Sequence, residues 1–304
     1  MKKIFAVLGI VILILIGAGY FIGDYFVTFA LERSPEGEPP KAVANIADPN
    51  LTAPAEPNFA KEVWKIKSAD NLELYAEHFS PTEKNHNWAI LVHGYGRDGR
   101  FAYDYAEEYL KRGYNVLIPD LRAAGHSEGK FLTMGYFESQ DIQLWAKKIL
   151  EHDSDAKIIL HGVSMGAATV LMASALDIDN LSAVVADCGY TSAYDMFTAQ
   201  LEVIFGLPEF PIMSAVDVVS KIKTGVAISE AAPLVAVKNS KVPTLFIHGT
   251  TDKLVPYAMM EKLFDASNAP VKEKFTVEDA GHADAKNKNP QLYFEKVFGF
   301  LNKF

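Results

Sequence analysis

Cysteine is nearly absent from this chain. Cys188 stands alone among 304 residues, so no intrachain disulfide can form. It follows the apolar run Ala183–Ala186 and reads as a small buried hydrophobe. Cations are also scarce. The 29 Lys and Arg face 38 Asp and Glu, a net charge of −9. No basic patch relieves that imbalance, which excludes a nucleic-acid partner and repels anionic polymers. The histidines show no H-x-x-x-H spacing and no carboxylate cluster beside them, so the sequence calls for no metal and no cofactor. No internal repeat or low-complexity core segment is visible.

One absence of charge is informative in itself. From Ile4 to Ile22 there is no charged residue, and these 19 positions make about 28 Å of helix, enough to cross a bilayer core. Lys2 and Lys3 precede the run and place that end in the cytoplasm, with the remainder outside. Tyr20, Phe21 and Tyr25 suit an aromatic belt. Gly23-Asp24-Tyr25-Phe26 is a poor cleavage site, so residues 1–25 read as an uncleaved anchor, with a cleaved signal peptide and secreted product as the alternative. Residues 26–59 carry Pro35, Pro39, Pro40, Pro49, Pro54 and Pro57 and read as an extended stalk, or else as an arm laid across the domain.

Residues 60–304 are of a size that folds as one α/β domain. Val63–Lys67 and Leu72–Ala76 alternate apolar and polar around Ser68–Asn71, which predicts an opening hairpin. Asn87–Val92, Asn115–Pro119, Lys157–Gly162, Leu181–Ala186, Pro243–His248 and Lys272–Val277 read as later strands, most of them continuous apolar runs suited to a sheet covered on both faces. Helical patterns over Phe101–Arg112, Ser139–His152, Met165–Ala175, Pro256–Ala266 and Pro290–Lys303 alternate with them. The expected fold is a doubly wound, mostly parallel sheet with its site at the strand carboxyl ends.

Gly162-Val163-Ser164-Met165-Gly166 joins a buried strand to a small-residue helix. A serine held in a sharp turn between strand and helix needs tiny neighbours, and the two glycines with Ala167 and Ala168 supply them. Asp252 and His282 each follow a strand, giving the order Ser164, Asp252, His282. Asp187 also ends a strand and is the reserve acid. His93-Gly94-Tyr95-Gly96 closes another strand, and the backbone N–H groups of Tyr95 and Met165 are assigned to an oxyanion hole. His93, His161 and His248 flank glycines in crowded turns and read as loop-orienting groups rather than ligands.

Together these stretches resemble the α/β-hydrolase superfamily over roughly residues 60–304. The Ser, Asp, His order is that superfamily's order. Asp120-Leu121-Arg122-Ala123-Ala124-Gly125-His126-Ser127 resembles its D-x-R-G-x-G-x-S segment, with Ala123-Ala124 where a glycine is commoner. With the N-terminal run, the chain is similar to membrane-anchored cell-surface hydrolases of Gram-positive bacteria. The resemblance implies carboxylic-ester hydrolysis through an acyl-enzyme, on a small-molecule or lipid-like ester. A peptidase or acyltransferase on the same three residues is the alternative, and a non-catalytic binding module the least favoured. Residues 190–241 are too long for a simple connection. Phe197, Leu201, Val203, Ile204, Phe205, Phe210, Ile212 and Met213 make the segment apolar, and it reads as a helical lid or else as an extra helix packed in the core.

Overall fold

The computed structural model describes residues 2–46, 52–83 and 85–304. Strands β1 (Ala60–Lys67), β2 (Glu73–Ser80), β3 (Asn87–Val92), β4 (Asn115–Pro119), β5 (Lys157–Val163), β6 (Leu181–Asp187), β7 (Thr244–Gly249) and β8 (Lys272–Val277) form one sheet in the order β1-β2-β4-β3-β5-β6-β7-β8. β1 and β2 pair antiparallel, as do β2 and β4, and every later pairing is parallel. The helices, in chain order, are α1 (Lys2–Leu31), α2 (Val43–Ile46), α3 (Tyr103–Leu110), α4 (Tyr136–His152), α5 (Met165–Ala173), α6 (Ala193–Phe205), α7 (Glu209–Thr224), α8 (Pro233–Ala236), α9 (Ala258–Ala266), α10 (Ala285–Lys288) and α11 (Pro290–Leu301).

The doubly wound expectation holds because β4 and β7 are buried along their whole length and β3 along all but its first residue. Side chains on one sheet face join α4, α5 and α9 around Trp88, Ile90, Leu160 and Phe246, and those on the other join α3 and α11 around Leu91, Ile118, Ile247 and Tyr293. Such two-sided burial is what continuous apolar strands require. The expected helix at Phe101–Arg112 begins instead as a 3-10 turn, Gly99–Ala102, because the Asp98 carboxylate accepts from Arg100 N. The expected Ser139 start of α4 moves back to Tyr136, because the buried Glu138 carboxylate accepts from Thr133 N and Gly135 N.

The expected division of the N-terminal region differs from the structure. α1 does not stop at residue 25 but continues to Leu31. Val27 and Leu31 are fully buried, and Phe26 and Phe29 pack edge-on against Phe205. Apolar side chains on one face and the absence of proline before Pro35 let the helix run on. Beyond it, Arg33 donates to the carbonyl oxygens of Gly125 and Ser127, and Val43 sits over Gly96. This part of residues 26–59 lies on the domain, as the arm reading has it and the extended stalk does not; residues 47–51 of the same expectation fall outside the described residues. The first turns of α1 carry exposed apolar side chains from Ile4 to Ile16, compatible with a single-pass anchor or a signal peptide. Residues 188–243, between β6 and β7, hold α6, α7, the 3-10 turn Ile228–Glu230 and α8.

Candidate active site

β5 ends at Val163, α5 begins at Met165, and Ser164 turns the chain between them at φ 57°, ψ −117°. This backbone is strained for a residue with a Cβ, and it projects the hydroxyl above the sheet. Neighbouring glycines make it possible. A Cβ on Gly162 would lie 2.1 Å from the Gly166 carbonyl oxygen, and one on Gly166 would lie 2.1 Å from the Val92 carbonyl oxygen. Ser164 N donates to Asp187 O at 2.8 Å, fixing the turn to β6.

Ser164 Oγ lies 2.8 Å from His282 Nε2, and His282 Nδ1 lies 2.8 Å from Asp252 Oδ2. A carboxylate can only accept, so Nδ1 carries the proton and Nε2 is free to accept from the hydroxyl. Asp252 Oδ1 accepts from Leu254 N and Val255 N, both at 2.9 Å. Its Oδ2 also meets His248 Nε2 at 3.1 Å, and that nitrogen reaches Val255 O at 2.9 Å. Because the Val255 carbonyl only accepts, His248 holds its proton on Nε2 and is a second donor toward Asp252. Burial pushes Asp252 up, but hydrogen bonds from His248 and His282 outweigh it and hold the carboxyl well below the usual carboxylate range.

Asp187 does not share this arrangement. It is fully buried, its Oδ2 accepts from Tyr293 Oη at 2.9 Å, and its Oδ1 has no partner among the described residues. Burial raises its pKa to about 6. Cys188 Sγ, Asp252 and His282 offer ligand atoms within 4.8 Å of one another. Two ligands of one tetrahedral zinc, each about 2 Å from it, stand about 3.3 Å apart. The 2.8 Å between His282 and Asp252 is instead a hydrogen bond. Burial also pushes the Cys188 thiol up, away from the thiolate a metal needs.

The other expected residues fall around this chain of contacts. Gly94 stands against Ser164, where a Cβ would lie 3.4 Å from the serine Cβ, and Tyr95 follows it. Met165 opens α5, whose first N–H groups have no partner within the helix. His93 Nε2 accepts from Leu121 N at 3.0 Å, and buried His161 bridges Tyr109 and Tyr293. His93 thus holds the loop after β4, whereas His161, expected to orient a loop, lies within β5 and ties α3 to α11 instead. Asp120 accepts from Gly99 N and His126 N, and Arg122 pairs with Asp141 and Asp70. That segment is structural.

Two openings meet at Ser164. One is apolar and is walled by α6 and α7 side chains, with Tyr95, Met134 and Tyr190 at its base. Phe26, Phe29 and Ala30 of α1 also line it, which the sequence did not signal. Among the described residues, no charged side chain lines this pocket. The other is a groove past His282 that carries Arg97, Asp104 and Lys286.

A model of the prolyl oligopeptidase family matches residues 101–304. The Bacillus subtilis protein YqkD, described as uncharacterized, is 27% identical over 304 residues, spanning 99% of this chain and 98% of its own. The Pyrococcus furiosus esterase Pf2001 superposes with a TM-score of 0.68 at 22% identity, over 84% of this chain and 97% of that one. The Pyrococcus horikoshii acylaminoacyl peptidase gives 0.59 at 19% identity, over 79% of this chain and 42% of that one. These likenesses establish the α/β-hydrolase fold.

Proposed function

The chain belongs to the prolyl oligopeptidase family, and on that premise we propose that it is a serine hydrolase of carboxylic esters with an apolar acyl group, anchored in a membrane by the start of α1. Ser164 is the nucleophile, His282 its general base and then the general acid, and Asp252 the group that holds the imidazole in one tautomer. Ser164 Oγ attacks the ester carbonyl carbon while its proton passes to His282 Nε2. The N–H groups of Tyr95 and Met165 receive the oxyanion, each worth roughly 3–4 kcal/mol by analogy with single-donor deletions. His282 returns the proton to the departing alkoxide, leaving an acyl-enzyme. Water, deprotonated by the same nitrogen, releases the acid and restores the serine.

The observation that carries this reading is the pair of 2.8 Å contacts linking Ser164, His282 and Asp252 beside a pocket that no described charged side chain lines. An apolar pocket suits an acyl chain. A peptide terminus would need a countercharge there, which favours the ester over the peptide. The helical insertion between β6 and β7 acts as a lid over the acyl group. Lys2 and Lys3 support a cytoplasmic N-terminus and a catalytic domain on the outer face. The test is labelling of the full chain with a fluorophosphonate, followed by turnover on esters of graded acyl length beside acylaminoacyl amides. Labelling at Ser164 with ester turnover rising with chain length is expected. Turnover confined to the amides would replace the esterase reading with a peptidase.

A further inference from the structure

α1 and α7 lie side by side. A Cβ on Gly23 would stand 2.5 Å from the Ala215 carbonyl oxygen, and farther along Lys223 reaches Asp24 and Thr28, both at 2.7 Å. Residue numbers rise together in the two helices, so they run in the same direction. The beginning of α7 therefore points back toward the exposed apolar turns of α1. The α6–α7 tip is there too, and its exposed residues are mostly apolar, with the exposed carboxylates Glu202 and Glu209 beside them. Val203 is 74% and Phe210 77% exposed, with Leu207 partly so. No Lys or Arg occurs from Thr191 to Ser220, so an anionic surface has nothing to attract it. The inner side of α6 faces the other way: Ile204 and Phe205 line the pocket that ends at Ser164.

We propose that the α6–α7 tip is seated in the lipid bilayer beside α1, and that the pocket takes the acyl chain of an ester resident in that bilayer. The inference rests on the serine-hydrolase reading for its chemistry and on the apolar run of α1 for the choice of bilayer as occupant. An apolar protein partner would have to cover the tip while clearing a membrane that α1 brings to the same level. A bilayer covers both surfaces with one phase. Uncharged headgroups suffice, because the tip carries no cation.

The full chain would be reconstituted into phosphatidylcholine vesicles containing brominated acyl chains. Native Trp64, Trp88 and Trp145 are buried in the domain and set the unquenched baseline. In Phe210→Trp the added emission is expected to fall by roughly half, since an indole at the acyl boundary lies within reach of the bromines. Emission as unquenched as the native tryptophans overturns the proposal. A second variant, Val203→Glu, is expected to lower turnover of a vesicle-borne 4-nitrophenyl palmitate about tenfold relative to soluble 4-nitrophenyl acetate. An unchanged ratio of those two rates overturns it as well, whatever the variant does to stability. Fluorophosphonate labelling of wild type in the same vesicles reads the chemistry separately. Quenching without labelling would retire the esterase reading and keep the bilayer contact.

Discussion

Tyr95 Oη donates to the carbonyl oxygen of Ala30 at 2.6 Å. One partner follows the His-Gly turn beside Ser164, and the other is in the penultimate residue of α1. Burial pushes the hydroxyl's pKa up, so it remains a donor. The loop assigned to the oxyanion is thus held in place by the helix that begins in the apolar N-terminal run. Through Phe26 and Phe29 that same helix walls the pocket.

Ser164→Ala and His282→Ala should each abolish fluorophosphonate labelling. Ester turnover should fall by roughly 10⁵–10⁶, leaving the contribution of the oxyanion donors. Full turnover in the serine variant would remove it as nucleophile.

The two candidate acids separate by substitution. Asp252→Asn leaves the shape but cannot hold the His282 tautomer, and kcat should fall by about 10⁴. Asp187→Asn should cost less than about tenfold, because Asp187 bonds Tyr293 rather than His282. Reversed magnitudes would transfer the role to Asp187.

Asp187 also predicts a pH dependence of stability. Its folded pKa of about 6 lies above the ~3.9 of an unfolded aspartate, so the folded state binds the proton more tightly. Its contribution is fully present below about pH 4 and is lost as pH rises through about 6. Asp187→Asn keeps an acceptor for Tyr293 and cannot ionise. Urea midpoints of wild type minus variant should therefore fall across that window and flatten above about pH 7. A difference independent of pH would contradict the assignment.

Two shortened chains test the role of α1. Starting at Tyr20 removes mainly exposed side chains, whereas starting at Pro35 also removes buried Val27 and Leu31 with the pocket wall. The second should melt roughly 6–12 °C below the first. Equal melting temperatures would mean that α1 contributes nothing to the domain.

Gly166→Ala places a methyl 2.1 Å from the Val92 carbonyl oxygen. Neither backbone can yield, and the expected loss is about 3 kcal/mol, read by urea unfolding. A stable, fully labelled variant would show the elbow to be looser than its geometry.

β3, β4 and β8 match their sequence expectations to the residue, because strands flanked by turn residues have sharp ends. The meeting of Ser164, Asp252 and His282 was legible for a related reason: each follows a strand, and parallel strands deliver their ends to one edge of the sheet. The inner face of α1 was not legible. Phe26, Val27, Phe29 and Leu31 are equally at home against lipid and against protein, so composition cannot distinguish the two. His248 was read as a loop histidine. Its donation to Asp252 depends on a four-residue turn whose closure no local pattern announces.

The ion pair between Asp24 and Lys223 spans 199 positions of chain. A ribosome makes the two ends of that contact many seconds apart, at roughly 5–20 residues per second. Throughout that interval the inner face of α1 lacks its α7 partner, and the pocket lacks the wall that α7 supplies. His282 is made later still, so the 2.8 Å contact between Ser164 and His282 can form only after the helices that wall the pocket have been made.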